Sequence, residues 1–114
     1  MSVKIDRLNN IIMKEVSKIL AREVKDEDIK FVTVTAVKTT SDLSFSKIYV
    51  TVLNDSRRNE TMKALKKAQG FIRKELAGRI EVRHVPELEF VYDESIEYGK
   101  HIEDIIKEIH EEEN

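Results

Sequence analysis

Cysteine and tryptophan are missing from this 114-residue chain, proline occurs once and glycine three times. Without a thiol there is no disulfide framework, thiolate metal site, cysteine nucleophile or thiol redox role, and the composition suits a reducing compartment. Pro86 and the scattered Gly70, Gly78 and Gly99 leave no Pro/Gly/Ser-rich linker or low-complexity tract, and no internal repeat divides the chain. Hydrophobic runs are short as well. None approaches the roughly 18 residues of a membrane span, and the polar, basic start leads into an amphipathic pattern where a signal peptide has an apolar segment. The expectation is a cytoplasmic protein with no membrane partner, forming one domain over residues 1–114. A chain of this length hides roughly 65% of the surface its unfolded form exposes, so a core needs no covalent staple.

What is present is periodic. Over residues 3–24, Ile5, Leu8, Ile12, Val16 and Ile19 recur at spacings of three and four, with Arg7, Lys14, Lys18 and Arg22 between them, which predicts an amphipathic helix. After Asp26-Glu27-Asp28 the period falls to two. Val32, Val34 and Ala36 alternate with Thr33, Thr35 and Val37 in a first strand. Thr40-Ser41-Asp42 supplies turn chemistry, and a second strand sets Ile48, Val50 and Val52 on one face and Phe45, Lys47, Tyr49, Thr51 and Leu53 on the other. The two strands are near enough in sequence to pair as a hairpin. Asn54-Asp55-Ser56 offers capping side chains for a helix over 57–78 that places Met62, Leu65, Ile72 and Leu76 on one face and is interrupted at Gly70. A third strand is expected at 87–92 after Pro86, and Asp93 and Ser95 cap a last helix bearing Ile102, Ile105, Ile106 and Ile109. This order, helix-strand-strand-helix-strand-helix, describes an α+β domain with a three-stranded sheet packed on helices. The seven aromatic residues alternate with apolar neighbours, so most are expected in the core.

The formal net charge of −2 hides a segregation. Residues 1–85 carry 18 Lys+Arg against 11 Asp+Glu, a net of +7, whereas residues 86–114 carry 2 against 11, a net of −9. Residues 57–85 alone reach +6. Such asymmetry points to a nucleic-acid surface with an acidic tail. At about 100° per residue, Lys63, Lys66, Lys67 and Lys74 share one arc opposite Leu65, Ile72 and Leu76, with Gly70 in its middle. A glycine inside a helix is destabilising by roughly 0.5–1 kcal/mol. In return it offers a bend, or a place where a phosphate backbone approaches closely.

The succession Ala68-Gln69-Gly70-Phe71-Ile72-Arg73, then Leu76, Arg83-His84-Val85-Pro86-Glu87-Leu88-Glu89-Phe90, Tyr92-Asp93-Glu94-Ser95 and Gly99, resembles bacterial ribosome-binding factor A. Upstream, Ile19-Leu20-Ala21-Arg22-Glu23-Val24-Lys25-Asp26 and Asp42-Leu43-Ser44-Phe45-Ser46-Lys47-Ile48-Tyr49-Val50 are similar to the same family, so the likeness covers nearly the whole chain. The resemblance implies a type II KH-like domain in which Ala68-Gln69-Gly70 interrupts the helix in place of a G-x-x-G backbone clamp. It further implies binding to the small (30S) ribosomal subunit and 16S rRNA late in maturation, support of 16S rRNA 5′-end processing and of growth at low temperature, and release linked to a ribosome-associated GTPase. The expected RNA-binding set is Lys63, Lys66, Lys67, Ala68, Gln69, Gly70, Arg73 and Lys74, on a monomer without a cofactor. Two departures from the family pattern are Glu27, where Asp-Pro is common, and Ser46, where a small apolar residue is usual.

Other constellations point elsewhere less strongly. Glu97, His101 and Asp104 share a face of the last helix at metal-ligand spacing, but they also read as ordinary surface pairs. His84 reads as a surface or RNA-contacting residue. No Ser-His-Asp set, phosphate loop or H-E-x-x-H motif can be assembled. An RNA nuclease would need carboxylates on the basic face, and Glu60, Glu75 and Glu81 do not converge there, so the expectation is a binder and not an enzyme. The competing expectation is a protein-protein adaptor that makes no direct RNA contact.

Overall fold

The computed structural model describes residues 3–24, 26–29 and 31–95. The expected last helix, with Tyr98, Gly99, the isoleucine stripe and the Glu97-His101-Asp104 set, lies outside these residues. Helix α1 spans Val3–Arg22, β1 Val32–Thr39, β2 Phe45–Val52, α2 Arg58–Ala77 and β3 Glu87–Tyr92, with short 3-10 turns at Glu27–Ile29 and Asp55–Arg57.

Two helices cover one face of a sheet ordered β1-β2-β3. β1 and β2 pair antiparallel as the predicted hairpin, whereas β3 lies parallel to β2 with Ser46 opposite Leu88, Ile48 opposite Phe90 and Val50 opposite Tyr92. A parallel neighbour requires a crossover, and α2 is that crossover. The buried set is Leu8, Ile12, Val16, Ile19 and Leu20 from α1, Ala64, Leu65, Ile72 and Leu76 from α2, Val34, Val37, Ile48, Val50 and Leu88 from the sheet, and Ile29 from the first 3-10 turn.

Three local expectations are corrected. In β1 the pairing passes from Val34–Val50 to Ala36–Tyr49, so Thr35 is an extra, bulged residue. The bulge reverses the alternation: Val37, expected on the face opposite Val34, joins it in the core. Thr35 Oγ1 donates to Asp93 Oδ2 at 2.5 Å, so the bulge ties down the exit of β3. Among the described residues no aromatic side chain is fully buried, although Phe90 packs against the core. Phe31, Phe45 and Phe71 are 58%, 52% and 45% exposed, and the interior is aliphatic. Finally, Asn54 Oδ1 accepts from the backbone N–H of Ser56 and so caps the 3-10 turn, while α2 itself, starting at Arg58, has Arg57 at its N-cap position with no side-chain cap bond.

Ser46, the departure in the second strand, is fully buried and hydrogen-bonded. The Thr39 hydroxyl donates to Asn9 Oδ1 at 2.6 Å, and its oxygen lies 2.8 Å from Ser46 Oγ. Thr39 has one proton, so Ser46 is the donor to Thr39. The chain Ser46–Thr39–Asn9 fixes α1 on the hairpin with every hydroxyl satisfied.

At the hairpin loop, Asp42 Oδ1 accepts from the Ser44 hydroxyl at 2.7 Å, the Thr40 hydroxyl at 2.7 Å and the Ser44 backbone N–H at 3.1 Å. These bonds favour the charged form. The Ser44 hydroxyl, then the Thr40 hydroxyl and the Ser44 N–H, hold the carboxyl down to about 2 from 3.8. The network also holds Leu43 at φ 63, a left-handed conformation that side chains resist by roughly 1–2 kcal/mol. Because the folded value is depressed, the carboxylate's stabilisation of the loop is complete above about pH 4 and is lost as pH falls through about 2. Carboxyl NMR should therefore show Asp42 titrating near pH 2. A midpoint near 4 would show that the bonds do not persist in solution.

Candidate nucleic-acid interface

Burial of Leu65, Ile72 and Leu76 against the sheet fixes the roll of α2 about its axis. The opposite side, carrying Lys63, Lys66, Lys67, Gly70 and Lys74, is thereby turned to solvent, and all five are exposed. Ala68 and Gln69 are half-buried on its flanks. The structure therefore brings together the lysines and the glycine that the helical projection grouped.

The helix is not interrupted. α2 is a continuous α-helix over its 20 residues, Gly70 included, which corrects the expected break. The reason is energetic: a glycine weakens a helix by about 1 kcal/mol relative to alanine, whereas the flanking Leu65, Ile72 and Leu76 are each fully buried and contribute roughly 1.5–3 kcal/mol apiece. Nothing lies within 4 Å of the position a β-carbon would take at Gly70. The fold itself thus gives no reason for a glycine here.

Arg73 has a different setting from the lysines. Its guanidinium donates from Nη2 to the carbonyl of Val85 at 2.7 Å and from Nε to that of Pro86 at 3.2 Å, and Nη1 lies 3.4 Å from Glu87 Oε1. It clamps the α2–β3 connection where the chain enters β3. Arg79, just past α2, does the same toward α1, reaching Glu15 at 3.5 Å and Glu23 at 3.4 Å.

The clamped connection forms one wall of a groove. A cavity of about 520 Å³ opens between it and α2, with Gly70 and Lys74 on one side and Arg83, His84 and Val85 on the other. At Gln69 it adjoins a cavity of about 340 Å³ between α2 and β3, lined by Met62, Lys63, Lys66 and Phe90. The result is a channel along the edge strand whose lining mixes the cations Lys63, Lys66, Arg73, Lys74 and Arg83 with the carboxylates Glu87 and Glu89 and apolar Met62, Val82, Val85 and Phe90, while Lys67 lies outside both cavities. Sequence reasoning had not placed Arg83 opposite Gly70. The only signal was topological, since a chain crossing over to a strand parallel to β2 must return past the end of α2. Among the described residues no group of three or more His, Asp or Glu converges as a metal site would require, and no described helix is long and apolar enough to cross a membrane.

Comparison with known proteins bears on the family and the fold. Residues 4–106 match the model of the family described as ribosome-binding factor A. The chain is 47% identical to ribosome-binding factor A of Staphylococcus carnosus (strain TM300) over 109 residues, which is 95% of each chain. Among solved structures, the solution structure of a Thermotoga maritima protein described as a ribosome binding factor A superposes with a TM-score of 0.71 at 26% identity, covering 83% of this chain and 92% of that one. A Thermus thermophilus ribosome binding factor A homology model, fitted into a cryo-electron microscopy map of a complex with the 30S subunit, gives a TM-score of 0.62 at 23% identity over 83% of this chain and 97% of that one.

Two outcomes test the assigned roles. Gly70→Ala should raise stability by about 0.5–1 kcal/mol, read as a higher melting temperature. A lower one would reveal a fold requirement at this position. Arg73→Leu should lower stability by about 1–3 kcal/mol through loss of charge-assisted bonds to two carbonyls, whereas Lys74→Gln should leave the melting temperature within a degree or so.

Proposed function

The chain belongs to the ribosome-binding factor A family, and on that premise we propose that it binds the 30S ribosomal subunit late in maturation by seating 16S rRNA in the channel along α2 and β3. The lysines Lys63, Lys66, Lys67 and Lys74 contact phosphates. Gly70, without a β-carbon, lets the backbone reach the helix surface between them. Ala68 and Gln69 shape the channel beside Gly70, and Arg73 acts by holding its far wall. The Thermus relative's fit to a 30S complex supports the choice of partner. Support of 16S rRNA 5′-end processing, growth at low temperature and release by a ribosome-associated GTPase belong to the same reading. So do a cytoplasmic location, a monomeric single-domain protein and a role as binder and not catalyst.

The observation that carries the proposal is Gly70: an exposed helix-interior glycine, costly to the helix and unused by the fold, amid cations. Close approach by an external backbone explains it. A protein-protein adaptor draws on a different observation, the exposed Phe31 and Leu53 side by side at one end of the hairpin. Nuclease treatment separates the two, because an adaptor's complex survives removal of accessible RNA.

Neutralising about four phosphates of single-stranded rRNA gives a slope near −3 for log affinity against log salt. Co-sedimentation with immature 30S subunits across a salt series should show that slope. Lys63→Gln/Lys67→Gln/Lys74→Gln should flatten it by about 2 with an unchanged melting temperature. A flat profile for the unaltered protein would remove the RNA reading.

A further inference from the structure

Helix α1 carries a second line of cations that the channel does not use. Projected at about 100° per residue, Lys4, Arg7, Lys14, Lys18 and Arg22 fall within an arc of about 80°, and the only other residue in that arc is Ile11. No acidic residue shares it. Lys4, Arg7, Lys14 and Arg22 are exposed, and Lys18 makes only a loose contact with Glu15 at 3.6 Å. At about 1.5 Å per residue the line from Lys4 to Arg22 is roughly 27 Å long. Its orientation is fixed, because Ile12, Val16 and Ile19 on the inner side are fully buried.

An anionic membrane is a poor occupant for this face. Surface helices enter bilayers through their apolar side, and here that side is sealed in the core. Single-stranded RNA is better served by the channel, since such binding relies on aromatic stacking platforms beside the cations, and α1 contains no aromatic residue. A rigid line of cations without aromatic stacking platforms matches instead the recognition of duplex RNA, which proceeds through backbone and shape.

We infer that the outer edge of α1, through Lys4, Arg7, Lys14, Lys18 and Arg22, is a second RNA contact that takes the sugar-phosphate backbone of a double-stranded segment while the α2–β3 channel takes a single strand. This extends the RNA-binding reading above and rests on it for the identity of the polyanion. The two sites thereby suit a junction between a duplex and an unpaired strand.

The test uses the full chain and two fluorescent probes, a short blunt RNA duplex and a single-stranded oligonucleotide of one of its strands. Arg7→Gln/Lys14→Gln/Arg22→Gln should weaken duplex binding at least tenfold and flatten its salt slope by about 2–3, with single-strand binding held within threefold. Lys63→Gln/Lys67→Gln/Lys74→Gln should do the reverse, and its failure alone would count against the channel and not against α1. The swap Arg7→Lys/Lys14→Arg/Arg22→Lys should restore duplex affinity, which guards against a folding defect. Lys38→Gln/Lys47→Gln, on the strands, controls for net charge and should leave duplex binding unchanged. The inference is overturned if the unaltered protein ignores the duplex, if the α1 variant binds it normally, if the strand control loses it equally, or if the α1 variant loses only binding to vesicles containing phosphatidylserine.

Discussion

The parallel pairing of β3 with β2 governs the rest of the molecule. Adjacent parallel strands cannot be joined by a tight turn, so the chain between Val52 and Glu87 must climb over the sheet and return. α2 is the climb and residues 78–86 are the return. Once Leu65, Ile72 and Leu76 are buried, the lysine side of α2 has one orientation available to it, and the return segment is obliged to run beside it. The channel is thus a consequence of strand order. Arg73 sharpens the arrangement by bonding the carbonyls of Val85 and Pro86, which lie just ahead of the β3 ladder.

Against this frame of burial and clamps, Gly70 stands out as the one residue of α2 that works against its own element. Local preferences in a folded protein normally agree with the global structure, and the exceptions concentrate where function imposes them. The helix tolerates Gly70 because the apolar residues on either side anchor both halves, so a continuous helix replaces the break that propensity alone suggests. The site therefore combines a rigid support with a bare patch of backbone, which suits the close approach of a phosphate backbone better than a hinge would.

Periodicity revealed the elements whose faces differ strongly in polarity. The α1 and α2 stripes, the β2 alternation and the bounds of β3 are all visible in the pattern of apolar residues, because each buries one face only. The bulge at Thr35 was hidden because period-two reasoning has no term for an extra residue; its partner, Asp93, lies 58 positions away. The exposed phenylalanines misled for a related reason. Phe45 alternates correctly but points to the uncovered face of the sheet, and alternation alone does not say which face a helix will cover. Of the site, the cations on one helix were readable and the opposing wall was not, since Arg83 and Gly70 meet only through the crossover.

A near-neutral chain can still be a strongly directional one. Counterion release depends on cations within reach of phosphates and not on the sum over the protein, and the Debye length of about 8 Å at physiological salt isolates a surface from charges on the far side of the domain. The basic arcs on α1 and α2 both face away from the sheet, since each helix spends its apolar side on the same sheet face. Two cationic lines on one side of a small domain follow from that shared packing. The aliphatic core that orients both helices is therefore also what organises the protein's charge, and a substitution that rolled either helix would redirect its electrostatics without altering a single charged residue.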